Sequence, residues 1–517
     1  MADQNSKPFV LVILDGWGVG PVDESNAIRL AKTPNMDTYR EKFGSTELKA
    51  SSVHVGLQRG QDGNSEAGHM NIGAGRVVEQ DSIMISRAIS DGTFFKNPAF
   101  MQAVKHAKKH QSNIHVMGML SNGQSAHAHP DHLIALITFL RFQKIGEIFL
   151  HLFSDGRDSP RFDAIKLMRK FHPFLSSRSA VATICGRAYA MDRKKDWSRT
   201  KAAYEALVLG KGIYEASSAE DAILNAYNRG ETDEFIQPTV ITGNGKPIAR
   251  IRDRDSIIFF NLRSDRARQL TKTFTQADFE NLNKGSFKRN KVLKKIFFVA
   301  MTDFGPDLDL LTAYPSRDLV DTLPMVLKDM PQLYIAESEK YAHMTYFFNG
   351  GYDQPVAGED RLLVPSPDML SYKKTPHMAL QEITDRVLGA LKKNNYGFIG
   401  VNVSNADMIA HTGSIKATVQ AIEFVDKCLG RIVPDVLARG GMLCITADHG
   451  NAEELMNRKT GEIDTEHSAS PVPCIFITRG AKLKLRKGGI LADVAPTILQ
   501  LMKVRQPEAM TGKSLIE

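Results

Sequence analysis

Short apolar runs recur along this chain, and each one stops abruptly at polar or charged residues. FVLVIL (9–14) ends at Asp15, and IHVMGML (114–120), IFLHLFS (148–154), AVATICG (180–186) and SIIFFNL (256–262) follow the same pattern. So do KIFFVAM (295–301), YGFIGVNVS (396–404) and GMLCITA (441–447). Continuous apolar runs of this length read as strands buried on both faces. Between them lie segments that read as helices, for example 131–144, 161–175, 197–209, 266–275 and 411–438. Strands alternating with helices predict an α/β protein with mainly parallel sheets. The long polar stretch 275–294 (QADFENLNKGSFKRNKVLKK) predicts a surface excursion.

Ligands of open α/β sheets bind beyond the carboxyl ends of the strands. Polar residues directly after the apolar runs are therefore the first candidates for chemistry. One set offers hard metal ligands. Asp15 sits in LDGWG, and NADMIAH spaces Asp407 and His411 at i, i+4 on one helix face. TADHGN supplies Asp448 and His449, and EHS supplies His467. Carboxylates and imidazoles without thiolates suit Mn²⁺, Mg²⁺ or Zn²⁺.

A second set is rich in arginine. SDGRDSP holds Arg157 and Asp158, GRAYAMDR holds Arg187 and Arg193, and NLRSDRARQ holds Arg263, Arg266 and Arg268. Guanidinium forks bind carboxylate or phosphate in bidentate fashion. SAHAHPDH adds His127, His129 and His132 as acid–base candidates. Lys340, in ESEKYAH, reads on its own as a solvated lysine. Taken singly, each of these residues fits a helix-surface pair, an N-cap or an ordinary surface charge. Their recurrence at strand ends is what gives them weight.

Ser65 lies in DGNSEAGHMNIGAGR (62–76), which is neither a Walker loop nor a G-x-S-x-G elbow. Two metals, a serine and an arginine cage fit phosphoryl transfer. Metal coordination activates a hydroxyl strongly; bound water falls from about 15.7 to about 7 in favourable cases.

Composition narrows the class. A chain of 517 residues, 42% hydrophobic and 24% charged, predicts a soluble protein of two or more domains. Net charge is +8, but basic and acidic residues are interspersed, which favours an anion site over a nucleic-acid surface. The cysteines, Cys185, Cys428, Cys444 and Cys474, form no C-x-x-C pair and predict reduced thiols in the cytoplasm. The apolar stretch near the N-terminus lacks the basic leader of a signal peptide. No run approaches the ~20 residues of a membrane span.

The motifs LDGWG, TPNMD, GNSEAGHMNIGAGRV, DGRDSP, GRAYAMDR, DRARQ, SEKYAH, FFNGG, NADMIAHTG, ADHGNAEE and DVAPTIL follow one another along nearly the whole chain. In this order they closely resemble the cofactor-independent phosphoglycerate mutases of the alkaline phosphatase superfamily. The resemblance implies two α/β domains. A discontinuous alkaline-phosphatase-like metal-binding domain would span 1–79 and 312–517, and an inserted phosphotransferase domain would span 80–311. VVEQ and FGPDLDLLTAYP would be the crossings.

The resemblance also assigns roles. Ser65 would be the nucleophile that becomes phosphoserine. Asp407, His411 and His467 would ligate one metal, and Asp15, Ser65, Asp448 and His449 the other. His127, Arg157, Asp158, Arg187, Arg193, Arg263, Arg266 and Lys340 would form the substrate shell, with Asp158 moving protons and Lys340 beside the nucleophile's chemistry. SNGQSAHAH departs from the family's usual loop by one extra residue and a missing aspartate, but the H-x-H-x-D-H spacing keeps His127 in place. The implied enzyme is an isomerase interconverting 3-phosphoglycerate and 2-phosphoglycerate in glycolysis and gluconeogenesis. It would use two Mn²⁺ ions (or Mg²⁺, Zn²⁺ or Co²⁺) and no 2,3-bisphosphoglycerate. It is expected to be a cytoplasmic monomer acting on small phosphoglycerates, with no nucleic-acid or membrane partner. Another phosphomutase or a phosphomonoesterase of the same superfamily is the alternative.

Overall fold

The computed structural model describes residues 7–517 except 176–177, 306, 316–318, 369–370, 458–460 and 481. The reading of residues 1–6 as free of a leader lies outside them. The chain divides into two compact units, Met1–Gln80 with Asp318–Glu517, and Asp81–Arg317. Each unit is an α/β domain with its own sheet and hydrophobic core.

The sheet of the first unit runs Asp360–Val364, Gln332–Glu337, Phe398–Val403, Phe9–Leu14, Met442–Thr446, Val472–Ile477, Gly44–Lys49, Gly489–Ile490. Its first five strands are parallel, and Val472–Ile477 is antiparallel to both its neighbours. Phe9–Leu14 is buried along its whole length, as an all-apolar run flanked on both edges and both faces must be. Leu14 pairs with Val403, and Ile13 with Thr446. That register brings Asp15, the segment after Val403 and the segment after Thr446 out at one end of the sheet.

The helix expected over 411–438 begins four residues later, as Ile415–Ala438, and a separate short helix, Asn405–Ala410, precedes it. Gly413, at φ +66°, ends the first, and the Ser414 side chain caps the second by accepting from the Ala417 N–H. His411 thus sits at a helix end, where its ring can turn toward neighbouring loops.

The sheet of the second unit runs Leu311–Tyr314, Phe297–Thr302, Ser256–Phe259, Ile114–Leu120, Ile148–Ser154, Ser179–Gly186, Thr239–Gly243, Tyr214–Ala216. The first six strands are parallel, and Thr239–Gly243 is antiparallel to Ser179–Gly186. LTAY, which was expected to cross between domains, is the edge strand of this sheet, paired with Phe297–Thr302. The two units divide at Gln80/Asp81 and at Arg317/Asp318.

The stretch 275–294 is not a free excursion. Phe279 is fully buried and packs against Trp197 and Phe287, each with ring centroids 5.4 Å away. Arg289 donates to the carbonyls of Thr273, Gln276 and Ala277 and so caps the C-terminal end of helix Ser264–Thr275. Two aromatics eight residues apart carry no period, so the polar composition hid the anchor. Among the described residues no helix is long and apolar enough to cross a membrane.

Candidate active site

Ser65 is the first residue of helix Ser65–Ala74, and the Asn64 side chain caps that helix by accepting from the Ala67 N–H at 2.9 Å. A helix N-terminus presents free N–H groups and the positive end of the helix dipole, both favourable to an anion. The glycines of this segment allow close packing. A Cβ on Gly68 would lie 2.7 Å from the Asp448 Cβ, and one on Gly63 would lie 2.7 Å from the His449 Cβ. Ser65 is buried, and its Oγ donates to Asp15 Oδ1 at 3.2 Å, lies 2.9 Å from His449 Nε2 and accepts from Lys340 Nζ at 2.8 Å.

Two sets of potential metal ligands surround it. Asp407, His411 and His467 form one, and Asp15, Asp448 and His449 the other, with the ligand atoms of each set within 4.8 Å of one another. Hydrogen bonds fix the ring tautomers of the first set. His411 Nδ1 donates to the Thr465 carbonyl at 2.8 Å, and His467 Nδ1 donates to the Gly63 carbonyl at 3.0 Å. Both Nε2 atoms then present lone pairs, 3.3 Å from each other and 3.3 and 3.4 Å from Asp407 Oδ1. In the second set His449 Nδ1 donates to the Gly450 carbonyl at 3.1 Å, which turns Nε2 toward Asp15 Oδ1 and Asp448 Oδ2, each 3.5 Å away. Converging lone pairs, with the far ring nitrogen tied to a carbonyl, are the arrangement of metal-ligating histidines. The oxygen and nitrogen donors, with no thiolate, fit divalent cations of the Mn²⁺, Mg²⁺, Zn²⁺ group.

The electrostatics agree. Burial raises Asp15 and Asp407, yet Lys340 above all holds both carboxylates below their usual range. Burial alone would lower Lys340, but Asp15 and Asp407 hold its ammonium above the usual lysine value. Its Nζ is 2.7 Å from Asp15 Oδ1 and 2.7 Å from Asp407 Oδ2, so it touches one carboxylate from each set. Burial likewise opposes a charge on His449, but Asp448 and Asp15 raise it to about 10. Around Asp407 the two imidazoles diverge: His411 is raised by Asp407 against burial, and His467 is lowered by burial and by His449. The carboxylates thus draw positive charge to the positions that cations would fill.

Three further residues organise this site. His69 Nδ1 lies 2.9 Å from the Ser65 carbonyl and 3.1 Å from Asp448 Oδ2. Asn402 donates to Asp15 Oδ2 at 2.8 Å, and Asn451 donates to Asp407 Oδ1 at 2.7 Å. His69 is signalled by its i+4 spacing from Ser65 and Asn451 by its place in ADHGN. Asn402, inside a strand, carries no local signal.

The second unit carries the arginine cluster, at the ends of Ile148–Ser154, Ser179–Gly186 and Ser256–Phe259. Arg187 is almost fully buried, paired directly with Asp155 and, at 2.8 Å, with Asp158. Asp155 Oδ1 also accepts the N–H groups of Arg157 (3.3 Å) and Asp158 (3.2 Å), so it shapes the loop that bears both. Ser125 donates to Asp158 at 2.6 Å from the SNGQSAHAH loop. Burial pushes Asp158 upward, but Arg187, helped by Ser125, keeps its carboxyl below the usual range. Asp265 holds Arg193 at 2.7 Å and Arg263 at 3.4 Å. Arg157 is exposed, 3.7 Å from Glu234.

Burial, Arg263 and Arg187 push His127 down to about 3, and burial with Arg187 and Arg193 pushes Arg266 down to about 10. Guanidinium groups gathered this closely around a neutral imidazole suit an anionic ligand. Of the three histidines of SAHAHPDH only His127 joins this cluster. His129 accepts from the Asp131 N–H as a helix cap, and His132 is buried against Ser86. Arg268 turns away to Asp307 and the Phe304 carbonyl.

A buried serine between two sets of converging metal ligands defines a metal-dependent enzyme. The family model described as Metalloenzyme superfamily matches residues 7–506. A relative from Methanosarcina barkeri, a 2,3-bisphosphoglycerate-independent phosphoglycerate mutase 1, is 47% identical, with 99% of each chain covered. One from Clostridium kluyveri, a 2,3-bisphosphoglycerate-independent phosphoglycerate mutase, is 45% identical over 99% of each. The crystal structure of Leishmania mexicana phosphoglycerate mutase at low cobalt concentration superposes with a TM-score of 0.81 at 28% identity, covering 100% of this chain and 99% of that one. The chain belongs to the 2,3-bisphosphoglycerate-independent phosphoglycerate mutases, isomerases of the metalloenzyme superfamily.

Proposed function

We propose that this chain interconverts 3-phosphoglycerate and 2-phosphoglycerate by passing the phosphoryl group through Ser65. The observation that carries this reading is the meeting of Lys340 Nζ, Asp15 Oδ1 and His449 Nε2 at the Ser65 Oγ. Two divalent cations, Mn²⁺ foremost, held by Asp407, His411 and His467 and by Asp15, Ser65, Asp448 and His449, would supply Lewis acidity toward the serine hydroxyl and the phosphoryl oxygens. The chain's own groups do the rest.

Ser65 Oγ, entering as the alkoxide that the Lys340 ammonium and the bound cations would favour, forms a bond to phosphorus as the bond from phosphorus to the glycerate oxygen breaks. It leaves as the same alkoxide in the return step, so Oγ neither gains nor loses a proton over the cycle. The helix N-terminus beneath Ser65 and the Lys340 ammonium favour the dianionic phosphoserine. Arg157, Arg187, Arg193, Arg263, Arg266 and His127 are suited to the carboxylate and phosphate of the substrate. The departing glycerate oxygen gains a proton, and the returning hydroxyl loses one. Asp158, kept ionised by Arg187 and Ser125, can accept the proton of one hydroxyl and deliver it to the other. The returning hydroxyl then takes phosphorus from Ser65, and no bisphosphoglycerate is required.

We read the enzyme as a monomer acting on small phosphoglycerates, and its interspersed basic and acidic residues favour an anion site over a nucleic-acid surface. Four free, buried cysteines suit the reducing cytoplasm, where glycolysis and gluconeogenesis run. The test is acid quenching during turnover of phosphate-labelled substrate without bisphosphoglycerate. Label should be recovered as phosphoserine at Ser65, and Ser65→Ala should give neither label nor turnover. Turnover by Ser65→Ala near the wild-type rate, with metal replete, would sink the assignment.

A further inference from the structure

Glu453 is fully buried, and its carboxylate is held by donors from three separate segments. Oε2 accepts the N–H of Gly18 at 3.0 Å and of Asn451 at 2.8 Å, and Oε1 accepts the Ser468 hydroxyl. Gly18 lies on the loop that begins with Asp15, Asn451 follows Asp448 and His449, and Ser468 follows His467. One side chain therefore ties together three loops, each bearing metal ligands, and it reaches both ligand sets.

Glycines make the room for it. A Cβ on Gly18 would overlap the Glu453 carboxyl group, and one on Gly20 would lie 2.8 Å from its Cγ. A Cβ on Gly450 would lie 2.5 Å from its Oε1. The glycines of LDGWGVG and of ADHGN thus answer to a buried carboxylate as well as to turns.

We propose that Glu453 is a positioning residue that sets the spacing of Asp15, His449 and His467 and so the fit of both metal sites. The inference rests on the two-metal reading above. Its essential property is reach. The Gly18 and Asn451 N–H groups cannot turn round, but one oxygen at the end of a side chain of this length satisfies both. Ser468 can rotate, and it also accepts from the Ser470 N–H at 3.2 Å. Glu453→Gln can therefore keep the arrangement, with its amide oxygen on the two N–H groups and its NH₂ toward the Ser468 oxygen. Glu453→Asp keeps the charge but is one methylene too short to reach all three loops.

The experiment is calorimetric titration of the metal-stripped chain with Mn²⁺, without substrate, followed by turnover against Mn²⁺ concentration. Supporting residues around metal ligands typically contribute about 10–100-fold in affinity. Glu453→Asp is expected to weaken Mn²⁺ binding by that order, with kcat largely recovered at saturating Mn²⁺, and Glu453→Gln to stay within several-fold of wild type. Ser468→Ala removes a single tie and should weaken the site containing His467 more than the site containing Asp15, which keeps the idea testable if Glu453→Asp does not fold. Wild-type affinity in both Glu453→Asp and Ser468→Ala, or a loss in Glu453→Gln matching that in Glu453→Asp, would overturn the proposal. Failure of the wild-type chain to bind Mn²⁺ would instead remove the two-metal reading and the positioning role with it.

Discussion

Lys340 Nζ stands 2.8 Å from Ser65 Oγ while contacting Asp15 and Asp407 at 2.7 Å each. A buried ammonium in this place does two jobs. It balances two buried carboxylates, and it aims a cation at the oxygen we propose to carry the phosphoryl group.

Lys340→Met should separate those jobs. Removing one preorganised charge from a developing anion typically lowers kcat by about 10²–10³. Mn²⁺ affinity should be unchanged or tighter, because a competing cation has gone from between the two ligand sets. Steady-state kinetics and Mn²⁺ titration check both; a kcat equal to wild type would refute the role.

Asp155→Asn keeps an acceptor for the Arg157 and Asp158 N–H groups but removes the charge paired with buried Arg187. Hydrogen bonds to charged groups are worth about 1.5–3 kcal/mol. The expected loss in kcat/KM is therefore roughly 10–100-fold, at about 1.4 kcal/mol per tenfold. Unaltered kcat/KM would show that Asp155 does not organise the arginine site.

Chelation should abolish activity, and Mn²⁺ should restore it where Ca²⁺ does not. Calcium favours a larger set of oxygen ligands, whereas both sets here include imidazole nitrogen. Full activity in protein shown by elemental analysis to be metal-free would contradict the reading.

His132 gives a stability prediction. Burial and His129 push it down to about 3, so the folded chain keeps it neutral while the unfolded chain binds a proton at its ordinary pKa of about 6.5. Its contribution is complete above about pH 6.5 and is lost as pH falls toward 3, at about 1.4 kcal/mol per pH unit. Between pH 7 and 5 the loss is about 2 kcal/mol. In His132→Phe, urea unfolding followed by Trp197 fluorescence should show a pH 7-to-5 loss smaller than wild type by that amount. Identical losses in the two proteins would sink the assignment.

Much of this was legible in the sequence because it is local. An unbroken apolar run such as FVLVIL announces a doubly buried strand, and the polar residue where it stops announces the sheet's ligand-binding end. The ordered motifs carried Ser65 and both ligand sets. Gly44–Lys49, written GSTELK, escaped notice because a mostly polar strand near the sheet edge looks like loop. The tertiary structure alone decided among residues that look alike along the chain. Arg263 turns to the anion cluster and Arg268 to Asp307; His127 joins the arginines while His132 packs on Ser86. Lys340 lies 275 residues from Ser65, and Glu453 holds loops separated by hundreds of positions. Propensity and periodicity act over a few residues. A buried charge takes its meaning from whichever counter-charges and donors the packed strands bring against it, and no period along the chain encodes that.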